Sequence, residues 1–362
     1  MKRFTILFVL FWTCLTAQTK TEFGKLQGAE FRIDVPDHWN HGLVVYYHGY
    51  RAEEHGGTFD QSKPLRDVLA VFTKAGYAVI QSGYSRAGWA LEQAIPETEA
   101  LKQYFIEHYG QPAETYVAGH SMGGMLTIMT IEQSPHSYAA GLDLCGATSE
   151  TPTLFGHAFD ARVTFDYYFP GVLPDPAKVP SDYKITEELD KRVSNLLETK
   201  PEAAATLRQL DGLHDNKDLS GDLLFGTWVL KDIEQRAGGN PFDNRNTIYT
   251  GTPDDNALNE GVKRYAADPG ALSYLQRYYT PTGHLTRPVL AIHTTYDELV
   301  PPSVPSAYAQ LARKAGAGDM FVVQFVKHDH HCNITPEEID HGFSELRQWK
   351  DKGTAPTPGR LP

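Results

Sequence analysis

The chain is poor in cysteine, with three in 362 residues, and no block of Lys and Arg stands out along it. Its formal net charge is −12, so a nucleic-acid partner is not expected. Long apolar runs are equally scarce. The one present, Phe4 to Leu15, follows Lys2-Arg3 and precedes Thr16-Ala17-Gln18. That is the layout of a secretory signal peptide over residues 1–18, and it is short for a bilayer span. A lipid anchor at Cys14 fits less well, because Phe11-Trp12-Thr13 is a poor lipidation signal. With no second such run, the mature chain is expected to be exported, soluble and without a membrane span. Removing Cys14 with the leader leaves Cys145 and Cys332. Export invites one disulfide between them; two separate buried thiols are the other reading.

What is present is an ordinary globular composition, 41% hydrophobic and 22% charged, with ample material for a core. The length fits one large domain, or a domain carrying a big insertion. The most informative stretch is Gly119-His120-Ser121-Met122-Gly123-Gly124. Thr115 to Ala118 before it is a short β-prone run, and Met125 to Ile131 after it reads as a buried helix. A serine between glycines at a strand-to-helix turn is the setting of a nucleophile elbow. Side chains at positions 119 and 123 would collide with the neighbouring strand and helix. The helix start aims free N–H groups and a positive dipole end at the reacting centre. No Lys follows the glycines, which argues against a phosphate-binding loop.

With this elbow the chain resembles the α/β-hydrolase superfamily. The resemblance implies a mostly parallel central sheet with helices on both faces. Strands are expected at Phe31 to Val35, Leu43 to Tyr47, Tyr77 to Ile80, Thr115 to Ala118 and Ala139 to Cys145. Helices alternate with them, one over Leu65 to Ala75 and one carrying Leu101, Tyr104, Phe105 and His108 on a single face. His48-Gly49-Tyr50 ends the second of these strands. By resemblance, Tyr50 supplies one oxyanion-hole N–H and Met122 the other. His48 reads as a hydrogen-bonded loop residue. Tyr84 and Trp89, in the loop after Tyr77 to Ile80, are candidate pocket walls, with loop packing the alternative.

The alternation stops over residues 147–286. Amphipathic stretches at Glu187 to Thr199, Pro201 to Leu210, Leu223 to Arg236 and Tyr265 to Tyr279 predict a large, mainly helical cap inserted after the sixth strand. Its role would be to roof the pocket and select the acyl or leaving group. The catalytic domain is thus expected at 19–146 and 287–352, followed by a loose Pro/Gly-rich tail at 353–362. Within the second part, Arg287 to His293 and Met320 to Phe325 read as strands, Val304 to Ala315 as a helix. A last helix starts at the Thr335-Pro336-Glu337-Glu338 signal.

Ser121, Asp297 and His331 follow in the order that the superfamily uses, each after a strand. Ser121 would be the nucleophile, His331 the base and Asp297 the residue that orients it. Asp143 and, more weakly, Glu298 are alternative acids; His328 and His330 are alternative bases. Packed as they are, His328-Asp329-His330-His331 lack the spacing that metal ligation asks for, and the chemistry demands no metal or organic cofactor. His331-Cys332 before a Thr-capped helix is similar to secreted tannase and feruloyl-esterase-like hydrolases. There the Cys after the catalytic His pairs with one beside the nucleophile. Here His120 holds that place, and the resemblance leaves Cys145 as the partner of Cys332. The expected activity is hydrolysis of a small-molecule or glycan-linked carboxylic ester, aryl or hydroxycinnamoyl esters included. A peptidase or aminopeptidase of the same fold, and a non-catalytic binding protein, are the competing readings. No anionic cluster for a substrate amino group is evident in the sequence.

Overall fold

The computed structural model describes residues 19–52 and 57–361; the expected signal peptide lies outside them. In chain order the elements are β1 (Lys20–Leu26), β2 (Ala29–Val35), β3 (Gly42–Tyr47), α1 (Asp67–Lys74), β4 (Ala78–Ser82), α2 (Leu91–Tyr109), β5 (Glu114–His120), α3 (Met122–Gln133) and β6 (Ala140–Leu144). Six helices follow: α4 (Thr151–Tyr168), α5 (Glu187–Thr199), α6 (Pro201–Asp211), α7 (Asn216–Ala237), α8 (Asp255–Gly261) and α9 (Pro269–Tyr279). The chain then returns through β7 (Val289–Thr294), α10 (Ser303–Lys314), β8 (Phe321–Val326), α11 (Pro336–Lys352) and β9 (Gly359–Arg360).

The strands form a single sheet in the order β1-β2-β4-β3-β5-β6-β7-β8-β9. The β1–β2 and β2–β4 pairs are antiparallel, and every pair from β4–β3 onward is parallel. Both faces are covered, which is why the central strands read as unbroken apolar runs. Leu43, Val45 and Tyr47 of β3 face a core shared with α2, α3 and the inserted helices. Val44 and Tyr46 face a second core with Phe72 of α1 and Phe343, Leu346 and Trp349 of α11. Helix α3 is buried from Met122 to Ile131, as a helix apolar all round must be.

Three segments differ from expectation. Lys20 to Leu26 is polar and only half buried, yet it forms an edge strand. Gln27 and Gly28 both take positive φ, 50° and 90°, and close it onto β2 as a tight hairpin. The Tyr/Phe-rich stretch at 165–169, for which no helix was expected, belongs mostly to α4. Its aromatic residues are buried on several sides rather than along one stripe. The tail is not loose: Gly359–Arg360 pairs in parallel with β8, and the Leu361 N–H donates to the Phe325 carbonyl at 2.8 Å. A free edge of β8 is thereby covered. Among the described residues no helix is long and apolar enough to cross a membrane.

Candidate active site

Ser121 sits at φ 58° and ψ −121°, between the end of β5 and the start of α3. Non-glycine residues rarely accept this geometry, and the surroundings hold it in place. The glycines have specific reasons. A Cβ on Gly119 would lie 2.1 Å from the Gly123 carbonyl oxygen, and one on Gly123 would lie 2.2 Å from the Tyr47 carbonyl oxygen. The turn therefore packs backbone against backbone, and Ser121 Oγ stands clear above the sheet.

The structure brings the three expected side chains together. His331 Nε2 is 2.8 Å from Ser121 Oγ, and His331 Nδ1 is 2.7 Å from Asp297 Oδ2. Asp297 is 3% exposed. Its other oxygen accepts the N–H groups of Leu299 at 3.0 Å and Val300 at 2.8 Å. Buried carboxylates need such partners. His293 lies below, its Nε2 at 2.8 Å from the Val300 carbonyl oxygen and 3.7 Å from Asp297 Oδ2. The His331 loop is fixed from two sides. Its N–H donates to Glu298 Oε2 at 3.2 Å. A disulfide joins Cys332 to Cys145, just past the end of β6. The capping box Thr335/Glu338 then starts α11.

The alternatives fall elsewhere. Glu298 braces the His331 backbone and lies 3.5 Å from His330 Nδ1. His328 pairs with Glu338 at 3.0 Å. Asp143 is fully buried, in a space that exists because positions 124 and 146 lack side chains. Neither of its oxygens makes a well-formed hydrogen bond. Burial raises its pKa to about 8, against an opposing pull from the Gly146 N–H. His48 packs as a loop residue, its Nδ1 2.7 Å from the Gly49 carbonyl oxygen and its ring stacked on Tyr84 at 4.0 Å. Burial lowers its pKa to about 3. Tyr84 is a correction: it does not border the cavity. Its hydroxyl donates to the His48 carbonyl at 3.3 Å, so it packs the loop. Among the described residues, no three His, Cys, Asp or Glu side chains are grouped to hold a metal ion.

Ser121 and His331 form part of the lining of a cavity of about 260 Å³. Tyr50 and Trp89 border it from the sheet side; Leu154, Phe155 and Ala158 of α4, and Phe225 and Val229 of α7, border it from the insertion. Two aromatic pairs bridge the seam: Trp89 on Phe155 at 4.7 Å and Tyr50 on Phe225 at 5.6 Å, both edge to face. The Trp89 loop is anchored on α7, where Asp232 accepts the Trp89 N–H at 2.7 Å. Neither Tyr50 N–H nor Met122 N–H has an acceptor among the described residues. The arrangement can deprotonate a serine hydroxyl against a carbonyl carbon.

Feruloyl esterase B from Aspergillus oryzae superposes on 92% of this chain and 80% of its own, at TM-score 0.51 and 13% identity. The chain has the α/β-hydrolase fold. An esterase from Pyrococcus furiosus aligns over 94% of this chain and 95% of its own, at 14% identity and TM-score 0.48. An acylaminoacyl peptidase from Pyrococcus horikoshii covers 93% of this chain and 42% of its own, at 12% identity and TM-score 0.49. No family model and no curated protein matches the sequence. The likeness to the Aspergillus oryzae enzyme, with the sheet order, establishes the fold alone and leaves the reaction to the residues.

Sequence reading missed the cavity's insertion side. Asp222, Phe225, Gly226 and Val229 lie at i, i+3, i+4 and i+7 of α7. That stripe was available in the sequence. The helix, however, begins at Asn216, capped by Asp215, seven residues before the expected start, so Asp222 fell outside it.

Proposed function

We propose that the chain is an exported serine hydrolase that cleaves small carboxylic esters through an acyl-enzyme intermediate. The observation that carries this reading is the unbroken hydrogen-bonded path Ser121–His331–Asp297, opening into an apolar cavity. In the resting state Ser121 Oγ–H donates to His331 Nε2, and His331 Nδ1–H donates to Asp297 Oδ2. A substrate carbonyl enters over Ser121, and Oγ attacks as its proton passes to Nε2. Tyr50 N–H and Met122 N–H receive the oxyanion; losing one such donor costs about 3 kcal/mol in the barrier. The tetrahedral adduct collapses, the C–O bond to the alcohol breaks, and Nε2–H returns its proton to that alcohol. Water then repeats the sequence on the acyl-enzyme and releases the acid.

The inserted helices α4 and α7 act as the cap: they complete the cavity and exclude bulk water. At about 260 Å³ the cavity lies below the ~300–1,000 Å³ of pockets for drug-sized ligands, which favours a short or single-ring acyl group. The edge-to-face pairs around it favour a flat one, so aryl and hydroxycinnamoyl esters lead the substrate list. The Cys145–Cys332 disulfide supports an oxidising destination. The test offers the protein and its Ser121→Ala variant 4-nitrophenyl acetate and butyrate, methyl ferulate and aminoacyl 4-nitroanilides. Ser121-dependent turnover of the esters is expected. Comparable cleavage of the anilides would replace this reading with a peptidase, and no Ser121-dependent turnover would end it.

A further inference from the structure

One residue of the cavity wall is out of keeping with the rest. Along the α7 stripe, Phe225, Gly226 and Val229 do what a roofing face should do, and Asp222 does not. Asp222 is 9% exposed. Among the described residues its carboxyl has no hydrogen-bond or ion-pair partner. Among the described residues, no Lys or Arg lines the cavity. The charge that Asp222 does feel is another carboxylate, Glu298, beside the His331 backbone. Asp211, half-buried at the end of α6, has its ionisation opposed first by desolvation and then by Asp222. Burial, with Glu298 adding to it, raises the Asp222 pKa to about 7. A buried acid with no protein partner is a persistent cost to the fold. Such a group on a cavity wall is explained if its partner arrives with the substrate.

We propose that Asp222 is the specificity-determining residue of this site, accepting a hydrogen bond from a proton-donating substituent on a small apolar acyl group whose carbonyl lies at Ser121. The proposal rests on the serine hydrolase reading above and adds the chemistry of the acyl group. The donor is a hydroxyl or an ammonium. Both present a proton to the same carboxyl, and an ammonium would also supply the positive charge that this acid cluster lacks. His157 also lines the cavity; it is exposed, and desolvation lowers its pKa below the usual imidazole value. An acyl group without a donor would leave Asp222 desolvated and unpaired, so it is selected against.

Three substrates separate the arms: the 4-nitrophenyl esters of 3-phenylpropanoic acid and of its 4-hydroxy and 4-aminomethyl derivatives. The readout is kcat/KM for each donor ester divided by that for the parent, in wild type, Asp222→Asn and Asp222→Leu. A wild-type ratio of at least ~10 for one donor, falling to about one in Asp222→Leu, is the expected result. Asp222→Asn keeps the ratio for a hydroxyl, since an amide oxygen still accepts, and loses it for an ammonium. Circular-dichroism melts of both variants guard against a mere loss of folding, and the ratio itself cancels any loss of active enzyme. Wild-type ratios near one for both donors, or a ratio that survives in Asp222→Leu, overturn the proposal and leave the hydrolase reading standing. Absence of Ser121-dependent turnover of the parent and donor esters alike removes the hydrolase reading, and this proposal with it.

Discussion

Replacing both Cys145 and Cys332 by alanine should lower stability and activity together. The crosslink joins residues 187 apart in sequence. A loop of that length, opened in the unfolded chain, is worth about 5 kcal/mol of chain entropy. For a protein of this size, with an unfolding entropy of about 0.7 kcal/mol/K, that corresponds to a fall in Tm of about 7 °C. The net fall is smaller to the extent that the backbone at both cysteines, held at positive φ of 49° and 58°, relaxes once the crosslink is gone. The catalytic effect is local. Cys332 follows His331 directly, and without the bond the imidazole is held by Asp297 and by the Glu298 contact to its N–H. A displacement of the order of 1 Å would cost up to about a hundredfold in kcat, with KM little changed. The assay is a thermal melt of the double variant, and of wild type with and without dithiothreitol, alongside kinetics on 4-nitrophenyl acetate. Wild-type values of both Tm and kcat in the double variant would refute the reasoning. A lowered Tm with unchanged kcat would confine the bond to stability.

Other consequences are as direct. Ser121→Ala should reduce ester turnover by about a million-fold with the melt unchanged. Asp297→Asn should cost about ten-thousandfold in kcat, since the amide favours the wrong tautomer of His331; a loss below tenfold would show that another group orients the ring. Gly123→Ala places a Cβ 2.2 Å from the Tyr47 carbonyl oxygen, and an unfolding free energy lowered by about 3 kcal/mol or more, read from urea titration, is expected. Asp143 gives a pH signature. Its folded pKa, raised to about 8, lies above the ordinary carboxyl value of 3.8. Between these values the folded state binds more protons than the unfolded one, so this residue makes stability fall as pH rises from about 4 to 8. Asp143→Asn should flatten that part of the urea-midpoint profile; a profile unchanged by the substitution would show that Asp143 is ionised without penalty.

The parts of the molecule that sequence exposed best are those with a single physical explanation. The elbow needs two glycines, and the distances to the Gly123 and Tyr47 carbonyls show why. The α11 start carries its own signal in Thr335, Pro336 and Glu338. Buried parallel strands announce themselves as apolar runs. What sequence concealed depends on partners far along the chain. Strand β1 has no apolar face to speak of and exists because β2 offers it a free edge. Helix α4 is surrounded by α6, α7, α8 and α9 and divides its apolar residues between two cores, so they do not keep to one stripe. Tyr84 and Trp89 share one loop and one aromatic character, but φ is 55° at Tyr84, and its ring turns onto His48 while Trp89 reaches the cavity. Asp222 was unreadable for a related reason: an acid in a helix is normally solvated, and only the fold shows that this one is not.

The six inserted helices occupy the place of a crossover between β6 and β7, which are neighbours in the sheet. A connection of about 140 residues instead of about 15 adds only ~2 kcal/mol of loop-closure entropy, and the insertion brings its own core around Phe165, Leu197, Leu207 and Leu223 to offset it. The length of this connection therefore costs the sheet little, although α4 and α7 share a core with it. Ser121, Asp297 and His331 all belong to the framework outside it, while Phe155, Asp222 and Phe225 belong to it. On the proposed reading, the reacting groups lie outside the insertion while one wall of the cavity lies within it, so that wall can be altered by selection or by design without replacing the nucleophile, base or acid.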